Sequence, residues 1–133
     1  MAKAKAKRTL TPVEKLMAES SFVLSKAQAF QTMGMGETAQ TLWLSAASLQ
    51  ERIAPLLDAD GEALEAAVYR MSAASCYEKA GDPSRAANLY RAALAGPLRA
   101  VTRQEVEGLL AGCLARLKGS APPRQPRREA SAS

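Results

Sequence analysis

The chain has 133 residues, one domain's worth, with 47% apolar but only 5% aromatic residues; Ala and Leu dominate and β-branched residues are sparse, which favours helices over a sheet. It contains no histidine, and its two cysteines, Cys76 and Cys113, stand far apart inside helical patterns, so there is no imidazole base, no two-His metal site and no readable zinc or disulfide framework. The net charge of +5 sits at the ends: residues 1–10 carry +4 and residues 119–133 carry +2, leaving the middle at −1.

Residues 1–10, with Lys3, Lys5, Lys7 and Arg8, read as a flexible basic tail, and Thr9-Leu10-Thr11-Pro12 follows where a secretory signal would need an apolar run. Thr11-Pro12-Val13-Glu14 offers a cap, a proline suited to the first helical position and the glutamate of a capping box, so a first helix is expected over 12–33. A second is expected over 37–54, with Ala39, Leu42, Trp43, Ala46, Leu49 and Ile53 on one stripe and Pro55 near its end. Asp58 or Asp60 is placed to cap a third helix, which runs to about Ala80 and stops at Gly81. Asp82-Pro83 opens the fourth and Gly96-Pro97 closes it. Thr102-Arg103-Gln104-Glu105 reads as a second capping box, opening a fifth helix whose stripe is Val106, Leu109, Leu110, Cys113, Leu114 and Leu117. The segment 119–133, with three prolines and little to bury, reads as a disordered tail, leaving 11–118 as the helical domain. No run approaches the ~18 apolar residues of a membrane span, and the expected location is cytoplasmic.

The chain also matches itself. Ala27, Phe30, Gly34, Ala39, Trp43 and Ala46 recur as Ala74, Tyr77, Gly81, Ala86, Tyr90 and Ala93, each 47 residues on and without a gap. Small residues, aromatics and a turn glycine returning in one order are what two copies of a helix–turn–helix unit produce. The stretch Ala74, Tyr77, Gly81-Asp82, Ala86, Tyr90 and Ala93, with Pro97 beyond, resembles the tetratricopeptide repeat. That family's period is about 34 residues, so the offset of 47 places about thirteen extra residues around Ser48–Ala66. Met35 stands in the first copy where Asp82 stands in the second. Gly112 and Gly119, spaced like Ala74 and Gly81, suggest that the fifth helix begins a third unit and caps the array. The resemblance implies an all-α, right-handed array of antiparallel hairpins; an ordinary five-helix bundle is the alternative.

It also implies where a partner would bind, on the concave face made by the first helix of each unit. Leu24, Gln28 and Gln31 fall there in the first helix, Met71, Ser75, Glu78 and Lys79 in the third, and Leu109 and Arg116 in the fifth, with Ser25, Ser72, Leu110 and Cys113 beside them. The row Leu24, Met71, Leu109 suits an amphipathic helix or apolar peptide, unless it is closed as helix-to-helix core. Relatives that clamp chaperone-tail carboxylates use Lys, Arg and Asn on this face, which here holds mostly Ser, Gln, Leu and Met. The expected function is a non-enzymatic adaptor or scaffold for another protein. The alternatives are a subunit of a larger or self-associating assembly, and an accessory nucleic-acid binder using its basic tails. Neither a cofactor nor a metal is expected: Met33-Gly34-Met35-Gly36 lacks the Lys-Ser/Thr continuation of a phosphate loop, and Asp58, Asp60 and Glu62 are accounted for by helix capping.

Overall fold

Local chemistry at Thr11 sets the first helix. Its hydroxyl accepts the Glu14 amide at 3.2 Å and Glu14 Oε1 accepts the Thr11 amide at 2.9 Å, closing the capping box with Pro12 in the first turn. In the computed structural model, which describes residues 9–119, this cap starts α1 (Pro12–Thr32), followed by α2 (Gly36–Ala59), α3 (Ala63–Lys79), α4 (Pro83–Leu94) and α5 (Ala100–Gly119). Each helix packs chiefly on its neighbours in sequence, so the domain is an all-α array of consecutive hairpins, as composition and spacing predict. The basic tail before residue 9 and the Pro-rich tail from residue 120 lie outside the described residues.

One turn design joins the first four helices. The Gly81 amide bonds Glu78 O at 3.0 Å and the Asp82 amide reaches back to Tyr77 O at 2.9 Å, the double closure of a Schellman motif, which satisfies carbonyls that a helix end leaves open. Gly34 and Met35 repeat these bonds onto Gln31 and Phe30, 47 residues earlier. Glycine recurs because the motif needs positive φ, +79° at Gly34 and +86° at Gly81, where a Cβ costs roughly 1–2 kcal/mol. The two copies differ at the following cap as their sequences predict: Asp82 accepts the Arg85 amide at 3.1 Å, whereas Met35 offers α2 no side-chain cap.

The repeated small residues are the seams. Ala27, Ala39, Ala46, Ala74, Ala86 and Ala93 are all fully buried, which lets backbones approach closely, and Trp43, Tyr77 and Tyr90 fill the space between seams. In α5 the seam register is set by Val106 and Cys113, both fully buried and seven residues apart like Ala67 and Ala74. The expected match of Gly112 to Ala74 therefore fails by one position. Gly112 is exposed, and a Cβ there would meet nothing within 4 Å.

The extra residues of the repeat lie within α2 itself, which has 24 residues against 12 in α4. Pro55 does not end this helix; it stays helical to Ala59. An interior proline costs about 3 kcal/mol, and burying side chains such as Ile53 and Leu57 returns about 1.5–3 kcal/mol each. These two residues, with Ala54 and Ala66, form a second core against Val13, Leu16, Met17 and Tyr69. Because α2 continues through Asp58, that residue cannot cap α3; it pairs with Arg70 at 2.6 Å, and Glu62 takes the cap position without a side-chain bond.

The fifth helix also starts earlier than expected, at Ala100, so Thr102 lies inside it and makes no capping box. What its first turn supplies instead is Arg103, whose guanidinium donates to Leu94 O at 2.7 Å and Gly96 O at 2.9 Å. It thereby closes the C-terminal end of α4.

Two substitutions test this account by chemical denaturation. Leu57→Ala should cost about 2–5 kcal/mol, the penalty of a buried leucine deletion, and a loss below 1 kcal/mol would show that the α2 extension is not a core element. Gly81→Ala should cost about 1–2 kcal/mol from its positive φ, while the exposed Gly112→Ala should be neutral or stabilising.

Candidate functional site

The face expected to bind a partner contains two equivalent polar nodes. In the first copy Trp43 Nε1 of α2 donates to Gln31 Oε1 of α1 at 3.1 Å, and Lys79 Nζ of α3 lies 4.8 Å from the centroid of the Trp43 ring. In the second, Tyr90 Oη of α4 donates to Glu78 of α3 at 2.5 Å, and Arg116 of α5 pairs with Glu78 at 3.1 Å. Gln31 and Glu78 are 47 residues apart, as are Trp43 and Tyr90. Each node thus joins an aromatic on the rear helix, an acceptor on the front helix and a cation from the next front helix. Four of the nine expected partner-binding residues, Gln31, Glu78, Lys79 and Arg116, are engaged in this way within the array.

Gln31, Lys79 and Arg116 nonetheless remain exposed, while Leu24, Met71, Ser75 and Glu78 are half-buried. Met71, Ser75 and Leu109, with Val68, Ser72, Glu78 and Tyr90, line a depression of about 370 Å³ between α3 and α5. Leu24 lines a second depression, of about 300 Å³, with Ser20, Gln50, Val68, Tyr69 and Ser72. Gln28 is exposed on α1. Val68 and Ser72 belong to both depressions, so the two are adjacent, separated by one ridge of α3. Of the apolar row, Leu24 and Met71 are partly buried against the main core and Leu109 is 39% exposed. Cys113, placed beside it from sequence, is instead fully buried in the core, and Leu110 packs against that core.

Sequence reading missed Val68, Ser20 and Gln50. Val68 falls outside the 47-residue match, although its 46% exposure makes it a prominent apolar group on this face. Ser20 and Gln50 are 2% and 3% exposed polar residues on helices otherwise read by their apolar stripes.

Electrostatics at the nodes follow from burial. Burial raises the Tyr90 hydroxyl well above its ordinary value, and the hydrogen bond to Glu78 adds to the shift; burial likewise raises Cys113. Burial pushes the Cys76 thiol up to about 11, so it stays protonated near neutrality, and it donates weakly to Gln50 Oε1 at 3.7 Å. Tyr77, also raised mainly by burial, donates to Glu51 at 2.7 Å and accepts from Arg85 at 3.3 Å, tying α2, α3 and α4 together. Among the described residues no group of three His, Cys, Asp or Glu is placed to hold a metal ion, and no helix is long and apolar enough to cross a membrane.

The Tyr90 shift has a sign that can be checked. A phenol whose pKa is raised in the folded state stays protonated while the unfolded chain ionises near its ordinary value of 10.0, so stability holds below that pH and falls as pH rises above it. Melting temperature should begin to fall near pH 9.0, where the thiols Cys76 and Cys113 ionise in the unfolded chain, and fall more steeply above 10.0, where Tyr90 adds to it. Tyr90→Phe should cost about 1 kcal/mol at neutral pH and make the alkaline decline shallower; an unchanged slope would remove Tyr90 as its source.

Comparison of the chain with protein-family models, with curated proteins and with solved structures gave no match.

Proposed function

We propose that this protein is a non-enzymatic adaptor, built on hairpins that resemble tetratricopeptide repeats, which docks an amphipathic helix of another protein across α1, α3 and α5. The observation that carries this reading is the adjacency of the two depressions along the row Leu24, Met71, Leu109, with Val68 between them. An apolar floor broken by Ser72, Ser75 and Gln50 suits a helix with one apolar face and some polar anchors. Burial of that face would supply the affinity and the flanking polar groups the specificity. A monomer keeps few exposed apolar residues in one continuous row unless the row meets another surface. On this reading the protein works in the cytoplasm, and the Trp43 and Tyr90 nodes hold the three front helices at the spacing the partner requires.

Site-specific photo-crosslinking from full-length protein tests it. A benzoylphenylalanine at Ser75, beside the α3/α5 depression, should capture a defined helical segment of one partner, and the same group at the exposed Ser84 of α4 should not. Met71→Glu, which places a charge in the depression, should weaken capture at Ser75 at least tenfold while circular dichroism and melting stay near wild type. Equal capture from both positions, or capture indifferent to Met71→Glu, would reject this face as the docking surface. Self-capture at Ser75, with dimers in sedimentation, would transfer the face to the self-associating alternative.

A further inference from the structure

The two depressions differ in chemistry, and the difference traces to the extension of α2. In the α3/α5 depression the walls are apolar side chains, serines and the Tyr90–Glu78 pair, whose carboxylate is already held by Tyr90 and Arg116. The α1/α3 depression is floored by two buried polar side chains, Ser20 and Gln50, at 2% and 3% exposure. Gln50 lies in the stretch Ser48–Ala59 by which α2 exceeds α4. Its carbonyl oxygen accepts the Cys76 thiol at 3.7 Å, and among the described residues its amide N–H₂ has no protein partner. The repeat supplies an internal control. The residue 47 positions after Ser20 is Ala67, buried to the same degree, so this position packs well without a hydroxyl. The Ser20 hydroxyl is therefore not required by the seam, and the Gln50 N–H₂ takes no part in the bond to Cys76. A buried amide and hydroxyl left unpaired are costly, and a ligand group that pairs with both is favoured over one that does not.

The surroundings narrow that group. Glu65 stands at the rim, and among the described residues no lining side chain carries a positive charge, so a carboxylate is repelled. An ammonium carries donors only and would leave the Gln50 amide hydrogens unpaired. An aliphatic side chain would bury both polar groups unpaired. A neutral primary amide fits: its oxygen accepts from Gln50 Nε2, and its N–H₂ donates toward Ser20 Oγ or the Glu65 carboxylate. The depression of about 300 Å³ has room for one such side chain, being several times the ~30 Å³ share of a water molecule.

We infer that the α1/α3 depression is a carboxamide pocket that selects an Asn or Gln side chain on the partner helix whose apolar side chain is anchored in the α3/α5 depression. This rests on the groove-docking reading and adds to it a sequence rule for the partner, one apolar anchor and one carboxamide on the same face. Gln50 and Ser20 are then its specificity-determining residues.

The test is selection of a displayed library of amphipathic helices, randomised on one face, against the full-length protein and, in parallel, against Gln50→Leu, Ser20→Ala and Met71→Glu. Selection on wild type should enrich an apolar residue together with Asn or Gln. Gln50→Leu should keep the apolar preference and lose the carboxamide, and Ser20→Ala, which copies the residue at position 67, should weaken the preference without disturbing the fold. For a selected helix, replacing the carboxamide by Leu should weaken binding to wild type by about 10- to 100-fold and leave binding to Gln50→Leu unchanged. Apolar anchors enriched without Asn or Gln, or with Asp, Glu or Lys in that place, would overturn the carboxamide pocket and leave the groove intact. Enrichment of no helix sensitive to Met71→Glu would overturn both.

Discussion

The structure depends on α2 remaining helical past Pro55. Were it to stop there, α1 would lose the surface that covers Val13, Leu16 and Met17, and α3 would lose its cover at Ala66 and Tyr69. The turn just before Pro55 supplies the partners of Cys76 and Tyr77, Gln50 and Glu51. A proline inside a helix removes one backbone bond and strains the turn before it, and it survives here because the residues around it are buried on two sides. The longer helix turns a pair of short hairpins into an array with a main core and an adjoining one, and it brings polar side chains to a place where the second copy has none.

Repetition explains much of the remainder. A single local solution, a glycine-closed turn leading into a helix with alanine on its buried side, is used in both hairpins. With so little side-chain volume at the seams, the position of each helix is governed by a few large groups, and these are the aromatics at the nodes. Trp43 and Tyr90 each present an apolar ring to the core and one polar hydrogen to the front helix. Each therefore fixes rotation as well as separation. The cation arriving from the following helix, Lys79 or Arg116, links one hairpin to the next. The front face is consequently shaped in part by residues outside its floor, Trp43, Lys79 and Arg116.

The helices themselves were legible in the sequence because their signals are local: Thr11 with Glu14, Asp82 with Pro83, and the glycines at 34 and 81 act within a turn of themselves. The seams were legible through the 47-residue match. Signals that depend on distant packing were not. Pro55 reads as a stop unless the burial of Ile53 and Leu57 is known, and Asp58 reads as a cap unless Arg70 is known to lie beside it. Thr102 likewise resembles a cap until Arg103 is seen to reach across to the end of α4. For the candidate site, Leu24, Met71 and Leu109 were placed on one face by their positions relative to the repeated small residues, while the hydrogen bonds that Gln31 and Glu78 receive have no local signature. Gln50 was invisible for a related reason, since an amide on an apolar stripe has no local signature.

The slender attachment of α5 has a consequence for breadth of recognition. Only Val106 and Cys113 of its twenty residues are buried, and its packing is chiefly on α4. In an array of nearest-neighbour contacts stability is close to a sum of local terms, and the terminal unit opens first. Hydrogen exchange would accordingly be fastest in the helix that carries Leu109, one wall of the apolar depression. One side of the groove is thus anchored through α2 to the most stable part of the array, and the other can change its spacing at small energetic cost. On the proposed reading, such a surface would hold the rigid half of a ligand in register and adapt to the size of the side chain on the other half.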